Sequence, residues 1–333
     1  MSKTKHTTSA AQRREQERLR RTQRGQNTRT TNKRRQQKSS LNTWLLIGGI
    51  VVAIALIIGG FIYFGEQQKA TITKTATPNV FKSLTTVKPE LLSSVGTGGL
   101  DKNVASIIKP VKGAQVLKGP TGKPEVFYMG GEFCPYCGAQ RWAMIVALSK
   151  FGSFQKPLTP IVSSESNVPT YSFYQSSYKS DYIDFVPVEV SDNQASPQPL
   201  EKLTPQQEQL VKTYDAPPYT SAQSAGSFPF LSIASQFVSA GAYYSPDLLV
   251  GHSFDDILNQ IQDPTTDISR SVLGSANYLI AQICKTTNNQ PGNVCTADPI
   301  PTIQGKLPTA LIDNSSVASI DAPRAAILRG QRA

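Results

Sequence analysis

Histidine is scarce in this 333-residue chain, because His6 and His252 are the only two and each stands alone. No Ser/His/Asp set for nucleophilic hydrolysis is evident in the sequence. A glycine-rich phosphate loop, a pair of catalytic carboxylates and an internal repeat are also missing. The four cysteines are therefore the strongest remaining candidates for chemistry.

Acidic residues are almost missing from the first 42 positions, which contain only Glu15 and Glu17. The same segment contains thirteen of the chain's 34 Lys and Arg residues. This tail accounts for the whole net charge of +11, and the rest of the chain is neutral. With so few apolar residues it cannot offset its chain entropy, so we predict a disordered basic tail over 1–42. Nucleic-acid phosphates could bind such a tail. We favour a topology signal that contacts anionic lipid headgroups, and expect no nucleic-acid partner.

Charge is missing altogether from Trp44 to Gly65, a run of 22 residues. At about 1.5 Å per residue, a helix of this length crosses roughly 30 Å of hydrocarbon, so we predict a transmembrane helix over 43–65. The run is too long, and lies too far from the N-terminus, for a cleaved signal peptide. The positive-inside rule keeps the tail in the cytoplasm and places 66–333 outside a cell membrane that the chain spans once.

The rest of the chain divides into a stalk and lead-in at 66–112, a folded domain at 113–297 and an extended C-terminal tail at 298–333. Apolar patterns and turn signals in the domain alternate between strands and helices, which predicts an α/β fold. A polar, Pro-rich insertion at about 191–225 contains one predicted helix. The predicted strands are 114–118, 125–129, 158–163, 185–190, 228–233 and 236–243. The predicted helices are 89–95, 135–150, 206–214, 254–261 and 268–284.

The cysteine pair Cys134 and Cys137 encloses Pro135 and Tyr136, between a predicted buried strand and an apolar helix. A thiolate at a helix N-terminus meets free backbone N–H groups and the positive end of the helix dipole, which lowers its pKa. Cys137, one turn later, would then resolve a mixed disulfide by attacking Cys134. Proline suits the first helical position, where its missing N–H costs nothing. The pattern predicts a redox-active dithiol.

Two other interpretations of the cysteines remain open. All four could bind zinc, but such sites usually use two close-spaced knuckles, and Cys284 and Cys295 are eleven residues apart. We therefore predict no metal. Cys134 and Cys137 could also form an inert structural disulfide. For Cys284 and Cys295 we predict a structural disulfide at the end of the last helix, with a pair that shuttles electrons to the dithiol as the alternative.

The order of strand, Cys-Pro-Tyr-Cys, helix, then a strand that opens at a proline, a hairpin and a helix, resembles the thioredoxin fold. The tetrapeptide is similar to that of many glutaredoxins. This resemblance implies a central mixed sheet flanked by helices, to which this chain adds a polar helical insertion. It implies that Pro229 is the cis-proline beside the dithiol and that Phe228 and Pro229 bind the substrate chain. Pro187 is a poorer match because no hairpin follows it.

Two longer segments, FYMGGEFCPYCGAQRWA and FPFLSIASQFVSAGAYYSPDLLVG, resemble a membrane-anchored thioredoxin-like family known as domain of unknown function 929. The resemblance extends over about residues 88–297. It implies a membrane-anchored thiol–disulfide oxidoreductase whose partners are protein thiols and disulfides outside the bilayer and an unidentified redox partner. No cofactor beyond the dithiol is expected. The alternative is a thioredoxin-like binding scaffold in which Cys134–Cys137 is a static disulfide.

Two charged residues lie near the dithiol in the sequence. Glu132, two residues before Cys134, could tune the thiolate or relay a proton, although such loop acids are often only solvated. Arg141, four residues after Cys137, is expected to face solvent.

Overall fold

A computed structural model describes residues 78–308. The predicted basic tail, the transmembrane helix at 43–65, the stalk before residue 78 and the chain after residue 308 lie outside the described residues. Within the described part of the chain, no helix combines the length and apolar character needed to cross a membrane.

The described chain alternates helices with strands. The helices are α1 (Pro78–Thr85), α2 (Pro89–Val95), α3 (Asp101–Ile107), α4 (Pro135–Leu148), α5 (Pro205–Tyr214), α6 (Phe254–Gln262), α7 (Asp267–Thr286), α8 (Gly292–Cys295) and α9 (Ile300–Lys306), with a 3₁₀ turn at Pro246–Leu248. The strands are β1 (Lys109–Pro110), β2 (Glu125–Gly131), β3 (Gly152–Phe154), β4 (Thr159–Val162), β5 (Pro169–Ser172), β6 (Tyr178–Ser180), β7 (Asp184–Ser191), β8 (Phe230–Ile233) and β9 (Phe237–Ala240).

A five-stranded mixed sheet in the order β1-β9-β8-β2-β7 forms the centre of the fold. Strand β2 is parallel to β7 and antiparallel to β8, and β8 and β9 form a hairpin. Two short two-stranded ladders, β3 with β6 and β4 with β5, lie in the connection between α4 and β7. The strand that precedes the cysteines is therefore paired on both sides, which gives the dithiol a rigid base.

Side chains of β2 alternate between two apolar layers, as the two-residue period of a strand requires. Val126 and Tyr128 belong to the larger core, which also contains the side chains of α4 and α7. Phe127 and Met129 belong to a second core, to which α5 of the insertion contributes Leu210 and Tyr214. Helices thus flank both faces of the sheet.

The lead-in differs from the predicted stalk. From Pro78 the chain forms the three helices α1 to α3, including the predicted one at Pro89–Val95. Val80, Leu84 and Val104 are fully buried in the larger core. Val80 and Leu84 lie four residues apart on one face of α1, so the short apolar runs of this segment are helix faces that pack on the domain.

Two other segments depart from the sequence-based prediction. Residues 114–118, predicted as a strand, contribute only one isolated bridge between Lys118 and Pro124. Part of the predicted extended C-terminal tail is helix α9, because Ile300 and Ile303 are three residues apart and both enter the larger core. The remaining predicted strands and helices of 113–297 are present with shifts of a few residues at their ends.

Candidate dithiol site

Cys134 is the N-cap residue of α4, with an extended backbone at φ −77° and ψ 123°, and Pro135 occupies the first turn. The backbone N–H of Cys137 donates to Cys134 Sγ at a distance of 3.5 Å. The sulfur thus takes the place of the side-chain oxygen that usually caps a helix N-terminus. Negative charge on this sulfur is favoured by the free N–H groups and the helix dipole.

Both cysteines of the tetrapeptide are free thiols, and they differ in exposure. Cys134 is 7% exposed, Cys137 is fully buried, and Tyr136 between them is 51% exposed. Every other residue of α4 is buried. The two thiols are therefore unequal: Cys134 lies nearer the surface and Cys137 lies beneath it.

The environment separates the pKa values of the two thiols. The thiol of Cys137, the backbone N–H groups of Cys137 and Tyr136 and the charge of Arg141 outweigh burial and lower the pKa of Cys134 to about 7. Burial, together with the neighbouring sulfur of Cys134, raises the pKa of Cys137 well above its usual range. Cys134 is thus the stronger nucleophile near neutral pH, and Cys137 stays protonated there.

A buried ion pair occupies the interior next to the dithiol. The guanidinium of Arg141 donates from Nε and Nη2 to the two carboxylate oxygens of Glu189 at 2.9 and 2.7 Å, and both side chains are fully buried. The Cζ atom of Arg141 also lies 5.9 Å from the centroid of the Tyr128 ring. The expectation that Arg141 faces solvent was wrong, because its charge is satisfied internally by a carboxylate on β7.

The loop between β2 and α4 is fixed through one carbonyl group. Gly131 O accepts from Arg141 Nη2 at 2.8 Å and from the backbone N–H of Cys134 at 3.2 Å. Gly130 precedes it at a point where the β2–β7 register shifts. A Cβ atom on Gly130 would lie 2.1 Å from the Tyr128 hydroxyl oxygen, so only glycine fits there. Gly130 thus lets the chain pass close to Tyr128, and Gly131 leaves room for the Phe133 ring, where a Cβ atom would lie 2.8 Å from Cε1.

Glu132 is half-buried beside this loop. Its carboxylate accepts a hydrogen bond from the Ser172 hydroxyl, and its backbone N–H donates to Ser191 O at 2.9 Å. Burial raises the pKa of Glu132, and the nearby Glu189 carboxylate adds to that effect. Glu132 is therefore anchored between β5 and β7 and is not a freely solvated loop acid.

Phe228 and Pro229 are brought next to the dithiol loop. The Phe228 ring lies edge-on to the Phe133 ring with centroids 6.3 Å apart, and Phe133 directly precedes Cys134. The Phe228–Pro229 peptide bond is cis. Pro187, the weaker candidate, lies inside β7 opposite Tyr128. The predicted substrate-binding residues and the dithiol therefore share one end of the sheet.

Cys284 and Cys295 form a disulfide that joins α7 to α8, and both are buried. Since their sulfurs bond to each other, they cannot act as thiolate ligands in a four-cysteine zinc site. Among residues 78–308, no group of three or more His, Cys, Asp and Glu side chains is placed to hold a metal ion.

Three buried polar residues beside the dithiol were not placed there by the sequence analysis: Tyr128, Arg141 and Glu189. Burial raises the pKa of Tyr128 well above its usual range, and the Glu189 carboxylate acts in the same direction while the charge of Arg141 opposes it. One signal was available. Arg141 lies within a helix that is apolar on all sides, so it has no polar face to occupy and must find a buried partner.

Fold and site together define an α/β protein with a mixed sheet flanked by helices and a cysteine pair at a helix N-terminus. The model of the family described as "Domain of unknown function (DUF929)" matches residues 111–285, more than half of the chain. The chain belongs to this family. No curated protein and no solved structure matches it.

Proposed function

We propose that this chain is a membrane-anchored thiol–disulfide oxidoreductase that acts on protein disulfides through Cys134 and Cys137. The observation that supports this most directly is the capping position of Cys134, whose sulfur accepts the Cys137 N–H at 3.5 Å. The lowered pKa of Cys134 and the raised pKa of Cys137 match the roles of attacking and resolving thiol. No cofactor beyond the dithiol is needed.

A thioredoxin-like fold is part of the proposal, and the topology supports it. Strand β2 leads into the dithiol helix α4 and pairs in parallel with the later strand β7. The antiparallel hairpin β8–β9 lies on the other side of β2 and is followed by α6 and α7. Strand, dithiol helix, parallel strand, hairpin and helix is the element order of the thioredoxin fold.

The proposed reaction is a two-electron exchange. The Cys134 thiolate attacks one sulfur of a substrate disulfide, the substrate S–S bond breaks, and the departing thiolate takes a proton from solvent. Cys137 then loses its proton and attacks Cys134 Sγ, which releases the second substrate thiolate. The substrate is reduced and a Cys134–Cys137 disulfide forms. In the opposite direction, this disulfide oxidises a substrate dithiol.

The proposed location is the outer face of a cell membrane, with the span at 43–65 as the anchor and residues 1–42 in the cytoplasm. The 22-residue uncharged run and the one-sided distribution of basic residues support this orientation. Labelling of intact cells with a membrane-impermeant maleimide, after mild reduction, should modify Cys134. Labelling only after the cells are permeabilised would contradict the orientation.

The reduction potential of the dithiol in the full chain is the measurement that tests the activity. The chain is equilibrated in glutathione or dithiothreitol buffers, and the peptide with Cys134 and Cys137 is scored by alkylation and mass spectrometry. A potential near about −120 mV indicates an enzyme that installs disulfides, and one near about −270 mV indicates a reductant. A pair that stays oxidised below about −300 mV behaves as a structural disulfide and contradicts the proposal.

A trapping experiment tests the roles of the two cysteines. With Cys137→Ser, the mixed disulfide on Cys134 cannot be resolved and should accumulate with protein substrates. The matched Cys134→Ser variant should trap nothing, because Cys137 is buried. Equal trapping by both variants would contradict the assignment of attacking and resolving thiol.

A further inference from the structure

The Arg141–Glu189 ion pair is costly to bury, and the apolar core around it does not require it. Isolated charges in a protein interior are strongly disfavoured, and even a well-bonded pair is often no more stable than an apolar pair of similar volume. Here both side chains are fully buried, and the charge of Arg141 acts on both thiols. The position of this pair therefore calls for an explanation beyond stability.

Helix geometry places the arginine beside the resolving cysteine. Cys137 and Arg141 are four residues apart on α4, so their side chains project from the same face of the helix. Three hydrogen bonds hold the guanidinium of Arg141 in place, two to the Glu189 carboxylate and one to Gly131 O. Its Nη1 group has no hydrogen-bond partner among residues 78–308. A full positive charge with unused donors thus lies under the dithiol.

The same guanidinium also controls the position of the attacking cysteine. Arg141 Nη2 and the Cys134 N–H share the Gly131 carbonyl oxygen as acceptor. Glu189 in turn holds the guanidinium in a bidentate grip from β7 and accepts the Phe173 N–H at 3.3 Å. The pair therefore connects β7, the end of β2 and the start of α4 in one rigid unit.

We propose that Arg141 and Glu189 are positioning residues that set the redox poise of the dithiol. Arg141 favours the thiolate forms by its charge and holds the Gly131 carbonyl that orients Cys134, while Glu189 limits that charge and fixes its place. The influence of Arg141 on both thiols, which lowers their pKa values, agrees with this assignment. This inference rests on the proposed function and adds the groups that tune it.

Two variants should shift the pKa of Cys134 in opposite directions. Glu189→Gln removes the compensating negative charge and should lower the pKa of Cys134. Replacing both residues, Arg141→Gln with Glu189→Gln, removes both charges without leaving either unpaired and should raise that pKa. We expect shifts of about one unit each, the lower end of what a close charge produces. A pair that only stabilises the fold gives no such opposite shifts.

The readouts are the pH dependence of iodoacetamide alkylation of Cys134 and the reduction potential at pH 9, both in the full chain. A more stable thiolate stabilises the reduced form, so the potential should rise in Glu189→Gln and fall in the double variant. A shift of one pKa unit changes the equilibrium constant for reduction of the dithiol tenfold, which corresponds to a change of about 30 mV in the potential of this two-electron couple.

The exposed ion pair Asp267–Arg270 on α7 provides the matched control. The double change Asp267→Asn with Arg270→Gln removes the same two kinds of charge from exposed positions. It should leave both the alkylation profile of Cys134 and the reduction potential unchanged. If the double variant of the buried pair fails to fold, the test rests on Glu189→Gln alone. We expect this variant to fold, because its amide oxygen can still accept a hydrogen bond from Arg141.

The outcomes separate this inference from the function on which it rests. A wild-type Cys134 that reacts only above about pH 8.5 has an ordinary thiol and contradicts the proposed function itself. A wild-type half-maximum near pH 7, with folded variants that do not move it, contradicts only the role of Arg141 and Glu189.

Discussion

Removal of the Cys137 thiol should make Cys134 less reactive at neutral pH. The pKa of Cys134 falls from 9.0 to about 7, and the hydrogen bond from the Cys137 thiol is the largest cause. Two pKa units correspond to about 2.7 kcal/mol of preference for the thiolate. In Cys137→Ala the backbone N–H donors and Arg141 remain, so we expect a loss of about half of this preference and a rise of about one pKa unit.

The assay is the initial rate of iodoacetamide alkylation of Cys134 between pH 5 and pH 10, scored by mass spectrometry of the reduced chain. The wild-type rate should be half-maximal near pH 7, and the rate of Cys137→Ala near pH 8. Cys137→Ser keeps a hydroxyl donor and is the matched control, so its half-maximum should stay close to that of the wild type. An alanine variant that titrates like the wild type would refute the role of the thiol hydrogen bond.

Three further changes test other parts of the structure. Gly130→Ala places a Cβ atom 2.1 Å from the Tyr128 hydroxyl oxygen and should lower the free energy of unfolding by about 1–3 kcal/mol, measured by urea denaturation. Burial raises the pKa of Asp215 to about 7. The stability of the wild type should therefore fall as the pH rises from about 4 to 7, and Asp215→Asn should remove up to about 4 kcal/mol of that fall. The double change Cys284→Ser with Cys295→Ser opens a disulfide across eleven residues and should cost about 3 kcal/mol without moving the dithiol potential.

Each of these changes has a result that contradicts its reasoning. Gly305→Ala is the control for Gly130→Ala, because a Cβ atom on Gly305 meets no atom within 4 Å, and equal losses would exclude the clash as the cause. For Asp215→Asn the control is Asp181→Asn at an exposed position, and the same pH profile in both variants would exclude burial as the cause. A dithiol potential that shifts with loss of the Cys284–Cys295 disulfide would instead favour electron transfer between the two cysteine pairs.

Local signals were enough to predict the helix that begins at the dithiol. Proline at the first helical position marks the start of α4, and a purely apolar stretch marks its burial. The hairpin β8–β9 was also predictable, because a proline-led apolar strand and its return segment lie close together in the chain. These features depend on residues that are close together in the chain, so they can be predicted from the sequence alone.

The ion pair beside the dithiol was not predicted, because its two residues are far apart along the chain. Arg141 and Glu189 are 48 residues apart and meet only because β7 pairs with β2. No hydrophobic pattern states which polar residue of a helix will meet which residue of a distant strand. The helices α1 to α3 were underestimated for a similar reason, because their apolar faces are short and gain stability by packing on the larger core, where α1 contacts α6 and α4 and α2 contacts α7.

Packing begins early in the described part of the chain, and under the proposed function this limits where the dithiol can work. In the proposed arrangement the span ends at residue 65, and Val80 in α1 is already buried in the core. Only residues 66–77 separate membrane from domain. Even fully extended, twelve residues reach no more than about 40 Å. Under the proposed function, this short connection would limit how far the domain can move from the lipid surface, and so favour protein substrates that are themselves at the membrane.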